Sequence, residues 1–288
     1  MNCKIWVLLL GLVSIIIGIL VYIQTPIDTR KLDDLSHILL SSDNRVLELR
    51  LNSNGYWRQK VSLNEVDPLF VKMLIAYEDQ RFYKHLGVDF KAIARASKNL
   101  LLNRKVVSGA STITMQLAKL LKPNLSKRTV LSKLKQMAYA IKIEYQYSKR
   151  EILEAYLTLA PYGGNIEGIK AGTAAWLQRK PDFLTPSEAA FFVALPQSPE
   201  MRRPDRNPVR AHKAKNKVLR RVANILGISD ITLIELESEK LKFVRLRPTS
   251  HAPHLYNKFL NEGKSTQDIR TTINYEYQII VQKILKAT

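Results

Sequence analysis

Glu78-Asp79-Gln80-Arg81-Phe82-Tyr83-Lys84-His85-Leu86-Gly87-Val88-Asp89 sets two adjacent acids, an arginine and a histidine at the end of an apolar helical pattern. Upstream, Asp67-Pro68 reads as an N-cap followed by proline at the first helical position. Phe70, Met73, Leu74 and Tyr77 then form one apolar stripe. A carboxylate at the end of that helix, half-buried by Tyr77 and Phe82, has the setting of a general base. The alternative reading is a helix C-terminus carrying solvated charges.

Downstream, Ser108-Gly109-Ala110-Ser111-Thr112-Ile113-Thr114-Met115-Gln116 is a glycine-led run of small hydroxyl residues at a helix start, with Lys119 and Lys122 following. Backbone N–H groups exposed there favour a phosphate or diphosphate; an ordinary Ser/Thr-capped helix fits the same residues. Ser126 opens a longer helix, for which the periodicity predicts a core face of Val130, Leu134, Met137, Ala138, Ile141 and Tyr145. On that helix Lys133, Gln136, Ala140 and Glu144 fall within roughly an 80° arc at ~100° per residue, off the apolar face. This stripe fits either a polar cleft lining or a solvated face. A further apolar stripe is Phe90, Ile93, Ala94, Ser97 and Leu101.

Two capping boxes come next, Ser148-Lys149-Arg150-Glu151 and Thr185-Pro186-Ser187-Glu188, with stops at Pro161 and near Pro196. The tight loop Ala160-Pro161-Tyr162-Gly163-Gly164-Asn165 is a common kind of hinge or substrate edge. Asn207-Pro208 begins another helix, which Gly227 closes. Strands do not alternate with helices, so the main domain is expected to be mainly α. Before it, Leu47, Leu49 and Leu51 alternate with Glu48 and Arg50 after a Ser42-Asp43-Asn44 turn, which predicts a small β-hairpin.

At the N-terminus, Ile5–Ile23 is an uncharged apolar run. At ~1.5 Å per residue it is just long enough for a ~30 Å hydrocarbon core. No small-x-small cleavage site follows, so an uncleaved anchor is expected rather than a signal peptide. The 288 residues carry a net charge of +20, which calls for an anionic partner: nucleic acid, anionic membrane or phosphorylated substrate. The one cysteine, Cys3, excludes an intrachain disulfide.

Together these segments resemble glycosyltransferase family 51, the peptidoglycan polymerase domain of class A penicillin-binding proteins and monofunctional transglycosylases. The family's first motif, Glu-Asp-x-x-Phe-x-x-His-x-Gly-x-Asp, is matched at Glu78, Asp79, Phe82, His85, Gly87 and Asp89. Its second, Gly-x-Ser-Thr-Ile-Thr-x-Gln, is matched at Gly109, Ser111, Thr112, Ile113, Thr114 and Gln116. The third, Arg-Lys-x-x-Glu, is matched only at Lys133, with Ser132 and Gln136 replacing its arginine and glutamate. The fourth, Lys-x-x-Ile-Leu-Glu-x-Tyr-Leu-Asn, is matched at Lys149, Ile152, Leu153, Glu154, Tyr156 and Leu157, with Thr158 for the asparagine. The resemblance spans roughly Tyr56 to Leu226. Met115, Gln136, Ala160–Gly164 and Leu195–Pro199 look most like the penicillin-binding protein 1C branch.

The resemblance implies a lysozyme-like, mainly helical domain that polymerises lipid II. The 4-hydroxyl of one lipid-linked sugar attacks the anomeric carbon of another, and undecaprenyl diphosphate leaves with inversion. Glu78 is the implied catalytic base. Asp79, Phe82, His85, Gly109, Ser111, Thr112, Thr114 and Gln116 are the implied substrate-binding motif residues. Lys119, Arg128 and Lys133 are candidates for the leaving diphosphate. Gln136 stands where much of the family has a glutamate; an amide still hydrogen-bonds a sugar, and Glu144 offers a carboxylate nearby. Glu154 is expected to be structural. No tightly bound cofactor is expected, with Mg²⁺ or Mn²⁺ on the substrate diphosphate as an option.

The expected organisation is a cytoplasmic stub at 1–4, a transmembrane anchor at 5–23 and a linker with the hairpin at 24–55. The glycosyltransferase domain follows at 56–228, then a linker at 229–288 whose Ile269–Asn274 looks like the start of a transpeptidase domain. Ser132-Lys133-Leu134-Lys135 and Ser42-Asp43-Asn44 mimic transpeptidase signatures, but in reversed order and with no Lys-Thr-Gly, so no acyl-enzyme with β-lactams is expected from this chain. The expected location is the bacterial cytoplasmic membrane, single-pass, with the catalytic domain outside; possible partners are other cell-wall synthesis proteins. There, Arg202, Arg203, Arg206, Arg210, Lys213, Lys215, Lys217, Arg220 and Arg221 would meet anionic lipid. Nucleic acid is excluded as a partner, since no binding motif accompanies the charge. The competing readings are a lysozyme-like glycan hydrolase and a non-catalytic, membrane-anchored lipid II-binding scaffold.

Overall fold

The structure is a computed structural model that describes residues 3–103, 111–127, 129–246, 250–261 and 268–287. In chain order it contains α1 (Cys3–Gln24), α2 (Arg30–Asp33), β1 (His37–Leu40), β2 (Val46–Arg50), β3 (Trp57–Arg58), α3 (Pro68–Glu78), α4 (Phe90–Asn103), α5 (Ile113–Leu121) and α6 (Val130–Gln146). Then come α7 (Lys149–Leu159), β4 (Ile166–Glu167), α8 (Ile169–Leu177), α9 (Pro186–Ala194), α10 (Pro208–Leu226), α11 (Asp230–Ser238), α12 (Pro253–Asn261), β5 (Asp268–Arg270) and α13 (Tyr275–Ala287). The fold is mainly helical. It divides into two compact units, one of residues up to Lys31 with Leu74–Tyr156, the other of Leu32–Met73 with the chain from Leu157 on.

In the first unit, α5 and α6 pack around Val88, Met115 and Ala140, with Ile93, Met137 and Ile141 against them. Gly87 makes this approach possible. Its φ is +86°, and a Cβ there would stand 2.6 Å from the Ala140 carbonyl carbon and oxygen. At the far end of α6, Gln146 Nε2 donates to the carbonyls of Ile23 (2.6 Å) and Thr25 (2.7 Å). Lys142 donates to the Thr25 hydroxyl and stands 4.8 Å over the Tyr22 ring. Gln146 thereby satisfies carbonyls that the C-terminus of α1 leaves open. Among the described residues no helix is long and apolar enough to cross a membrane. Of the expected Ile5–Ile23 span, the side chains at 5–10, 12 and 15 lie outside the described residues.

The buried side of α6 departs in part from its expected face: Met137 and Ile141 pack on the core as expected, but Ala138 is exposed. Val130 (80% exposed), Leu134 (55%) and Tyr145 (64%) point outward, whereas Gln136, Tyr139, Ala140 and Ile143 are buried. Gln136 and Glu144 have hydrogen-bond partners, which offsets the cost of turning the polar stripe inward; the buried Tyr139 hydroxyl has none among the described residues. The helix begins at Val130 behind a Thr129 N-cap; residues Pro123–Ser126 form a 3-10 turn instead of its first turn. Phe90, expected on a core stripe of α4, is likewise exposed.

In the second unit, β1 and β2 form the expected antiparallel hairpin, with β5 added in parallel to give the order β2-β1-β5. Leu47 and Leu49 are buried as the alternation predicts, but so is Glu48. Its carboxylate pairs with Arg50 at 2.8 Å and accepts from the Ser250 hydroxyl at 3.1 Å, so a covered second face replaces the solvent. The parallel pair β3–β4 carries a buried ion pair, Arg58 Nε to Glu167 at 2.8 Å, and Arg58 also donates to the Asp34 carbonyl. The Thr185–Glu188 capping box opens α9, and Gly227 closes α10 in the left-handed conformation. On α10, Arg210, Lys213, Lys217, Arg220 and Arg221 are exposed, whereas Lys215 is buried; in the preceding turn Arg203 is buried in a pair with Asp205 at 2.7 Å. The cationic stretch is therefore not one solvated face.

Candidate functional site

The site lies within the first unit, where α3 ends and α5 begins. Asp67 caps α3 from its start, accepting from Leu69 N at 2.7 Å, and the apolar stripe of Phe70, Met73, Leu74 and Tyr77 is buried as expected. The last residue of α3 is Glu78, and its side chain is half-buried. Gln116, on the second turn of α5, donates its Nε2 to Glu78 Oε2 at 2.9 Å. The Tyr156 hydroxyl, on α7, donates to Gln116 Oε1 at 3.3 Å.

Asp79 turns the other way. Its carboxylate accepts from His85 Nε2 at 3.0 Å and from the backbone N–H of Ile113 at 3.0 Å. A carboxylate on the first N–H of α5 sits at the positive end of the helix dipole. His85 Nδ1 accepts from Gly87 N at 3.1 Å, so Nε2 carries the proton and donates it to Asp79. Thr112 caps α5 through Met115 N (3.0 Å) and donates its hydroxyl to Gly87 O (2.6 Å). Phe82 is fully buried, and the Lys149 ammonium stands 4.5 Å over its ring. Asp79, Phe82, His85 and Thr112, expected as substrate-binding residues, thus form the buried frame that fixes Glu78 against α5.

A second polar cluster lies alongside. Glu144 accepts from the Thr114 hydroxyl at 2.6 Å and from Lys149 Nζ at 2.7 Å, and Lys149 also donates to His85 O at 2.7 Å. With its side chain 4% exposed, Glu144 is a buried counter-ion for Lys149. Gln136 is also committed: its Nε2 donates to Leu125 O at 2.5 Å and ties the 3-10 turn to α6.

Two cations remain partly accessible. Burial pushes the Lys119 ammonium below the ordinary lysine range, while the negative charge of Glu78 partly offsets this. Burial and the neighbouring positive charge of Lys119 do the same to Lys133, which donates to Ser111 Oγ at 2.5 Å. A carboxylate, two ammonium groups and a hydroxyl are thereby gathered in one place. That set can accept a proton at one end and hold an anion at the other. Gly109 and Arg128, also expected here, lie outside the described residues. Among the described residues no group of three or more His, Cys, Asp or Glu stands ready to hold a metal ion.

Two residues in these networks were not assigned a role by the sequence reading. Lys149 and Tyr156 both match the fourth motif, and their helical spacing puts them on one face of α7. The motif match was the available signal; their distant partners His85, Phe82 and Gln116 were not legible.

The sequence profile of the Transglycosylase family matches residues 44–223. Penicillin-binding protein 1C of Escherichia coli (strain K12) is 38% identical over 237 residues, 82% of this chain and 30% of that protein. Penicillin-binding protein 2D of Bacillus subtilis (strain 168) is 33% identical over 246 residues, 82% of this chain and 35% of that one. The chain thus spans about a third of the length of these curated relatives. The crystal structure of penicillin-binding protein 1A from Haemophilus influenzae aligns with a TM-score of 0.41 at 14% identity, covering 87% of this chain and 28% of that one.

Proposed function

The chain belongs to the transglycosylase family, and from that premise we propose that it is a peptidoglycan glycosyltransferase that polymerises lipid II with Glu78 as general base. The observation that carries this reading is the carboxylate of Glu78, fixed by Gln116 at 2.9 Å in the same site as the Lys119 ammonium. Glu78 takes the proton of the attacking 4-hydroxyl as its oxygen bonds to the anomeric carbon of the second sugar. The bond from that carbon to the diphosphate oxygen breaks, with inversion. General-base assistance of this kind contributes roughly 10²–10⁴-fold. Lys119 and Lys133 balance the charge that develops on the undecaprenyl diphosphate, and a divalent cation arriving with the diphosphate would add to them.

The domain is lysozyme-like in this reading and is held at the outer face of the cytoplasmic membrane by Ile5–Ile23. Exposed apolar side chains support a lipid-facing surface: Val13, Ile16, Ile17 and Leu20 on α1, and Leu86, Phe90, Val130 and Leu134 in the same unit as the site.

Polymerisation of labelled lipid II by detergent-solubilised protein, with Glu78→Gln alongside, tests the proposal. Polymer from the parent and none from the variant is expected. The second reading, a lipid II-binding scaffold, rests on Gln136, whose amide is spent on a backbone carbonyl where the family carries a glutamate. Lipid II bound but never consumed by the parent would favour it, and shortening of finished glycan would favour a hydrolase.

A further inference from the structure

The second unit contains a cavity of about 460 Å³ that the transferase reading does not use. Its volume falls within the roughly 300–1,000 Å³ of small-molecule sites. Its walls are mainly apolar, from Phe191, Pro204, Val209, Leu241 and Phe243, with the two phenylalanine rings 4.3 Å apart. The titratable groups among its lining residues are all basic: His212, Lys215 and Lys240.

Lys215 is the unusual member. It is 1% exposed, and among the described residues no carboxylate lies within ion-pair distance of it. Its ammonium donates to Leu236 O at 2.5 Å and Glu239 O at 2.7 Å, the carbonyl end of α11, which leaves one of its three N–H groups over. Glu237 and Glu239 act on it only at longer range, and Glu237 is itself engaged by Arg220 at 2.8 Å. Burial pushes the Lys215 ammonium below the ordinary lysine range. Burial and the charges of Lys215 and Lys240 lower His212 likewise. A buried cation with no carboxylate in contact is costly, and an apolar cavity beside it is a second cost that a ligand of matching chemistry would remove.

We propose that this cavity binds an anionic amphiphile, its acyl chain among Phe191, Val209, Leu241 and Phe243 and its carboxylate or phosphate head toward Lys215, His212 and Lys240. The chain's apolar volume excludes free inorganic phosphate as a sufficient ligand, and the absence of an acidic lining residue disfavours a cationic one. Two sources share the chemistry, a free fatty carboxylate and an anionic phospholipid of the bilayer.

The test is photo-crosslinking of the full chain in phosphatidylcholine nanodiscs. One arm uses diazirine-bearing palmitate, another its methyl ester, and a third a diazirine-bearing phosphatidylglycerol. Saturable labelling of the segments Pro204–Ala211 and Lys240–Phe243 is expected. Val209→Trp, at an exposed lining position, should cut it about ten-fold, and the exposed Lys240→Glu about three-fold. The methyl ester should label about ten-fold less than palmitate. Labelling by palmitate alone would identify a free carboxylate as the ligand; labelling by phosphatidylglycerol as well would identify a membrane lipid. Either variant can be checked for folding by its unchanged thermal unfolding. Labelling absent from these segments, unmoved by Val209→Trp, or equal for the methyl ester would overturn the proposal.

Discussion

Gln116 Nε2 donates to Glu78 Oε2 at 2.9 Å while the other end of the same amide accepts from the Tyr156 hydroxyl at 3.3 Å. Both ends of Gln116 are occupied, so its side chain is locked and the Glu78 carboxylate is aimed by a group two contacts away. Tyr156 is itself 2% exposed, which holds its ring in place.

Tyr156→Phe removes that hydroxyl and keeps the ring. Turnover of lipid II should fall about three- to ten-fold, the value of one neutral hydrogen bond of roughly 0.5–1.5 kcal/mol, with KM little changed. Gln116→Leu should cost more, because it strips the donor from Glu78 directly. Steady-state kinetics that show a raised KM and an unchanged kcat would argue against a positioning role.

Gln136→Glu restores the residue that the family motif carries, yet it should not raise activity here. The substitution replaces an N–H donor with a carboxylate oxygen facing Leu125 O. Loss of the bond and an unmet carbonyl should destabilise the protein by about 1–3 kcal/mol, read as a lower denaturation midpoint. A gain in turnover without loss of stability would show that this helix accepts the motif glutamate in another conformation.

Lys119 and Lys133 carry a stability cost with a pH signature. Burial holds both below the ordinary lysine value of 10.5. The unfolded chain therefore binds more protons in the window just below 10.5, and stability rises with pH across it. Below the depressed values the penalty is constant. Lys133→Met should be more stable than the parent near neutral pH and lack its share of the rise. Its affinity for inorganic diphosphate should drop about ten-fold, because a charge-assisted contact is gone. Denaturation at several pH values, paired with calorimetric titration of diphosphate, checks both.

Gly87→Ala should be strongly destabilising. The new Cβ would meet the Ala140 backbone at 2.6 Å, and φ is +86°. Neither atom is a flexible side-chain end, so α6 must shift, at about 2–4 kcal/mol. Because Thr112 and His85 both bond Gly87, activity should fall with stability. A variant as stable as the parent would mean that the loop moves independently of α6.

The sequence alone determined much of the local structure and which residues are candidates for the site. Capping residues at Asp67 and Thr185, the proline start at Pro208, stops at Pro161 and Gly227, and the Ser42–Asn44 turn are local rules, each satisfied within a few residues. The motifs at 78–89 and 109–116 likewise marked where the acids and the start of α5 stand, whose N–H groups at Ile113 and Met115 are taken by Asp79 and Thr112. The tertiary structure decided which members of those motifs face outward. Asp79 and Glu78 are neighbours, but one is 6% exposed on a histidine and a helix start, and the other is half-buried beside a lysine. Nothing in their order distinguishes them, because the difference comes from α5.

The same holds for α6, whose period was legible and whose buried face was not. A stripe of Val130, Leu134 and Tyr145 ordinarily faces a core when water lies outside. Here the polar stripe found internal partners at Leu125, Thr114 and Lys149, and of the apolar one Val130, Leu134 and Tyr145 face out while Met137 and Ile141 pack on the core. Periodicity reports that a helix has two sides; only contacts from distant segments decide which side is the inside.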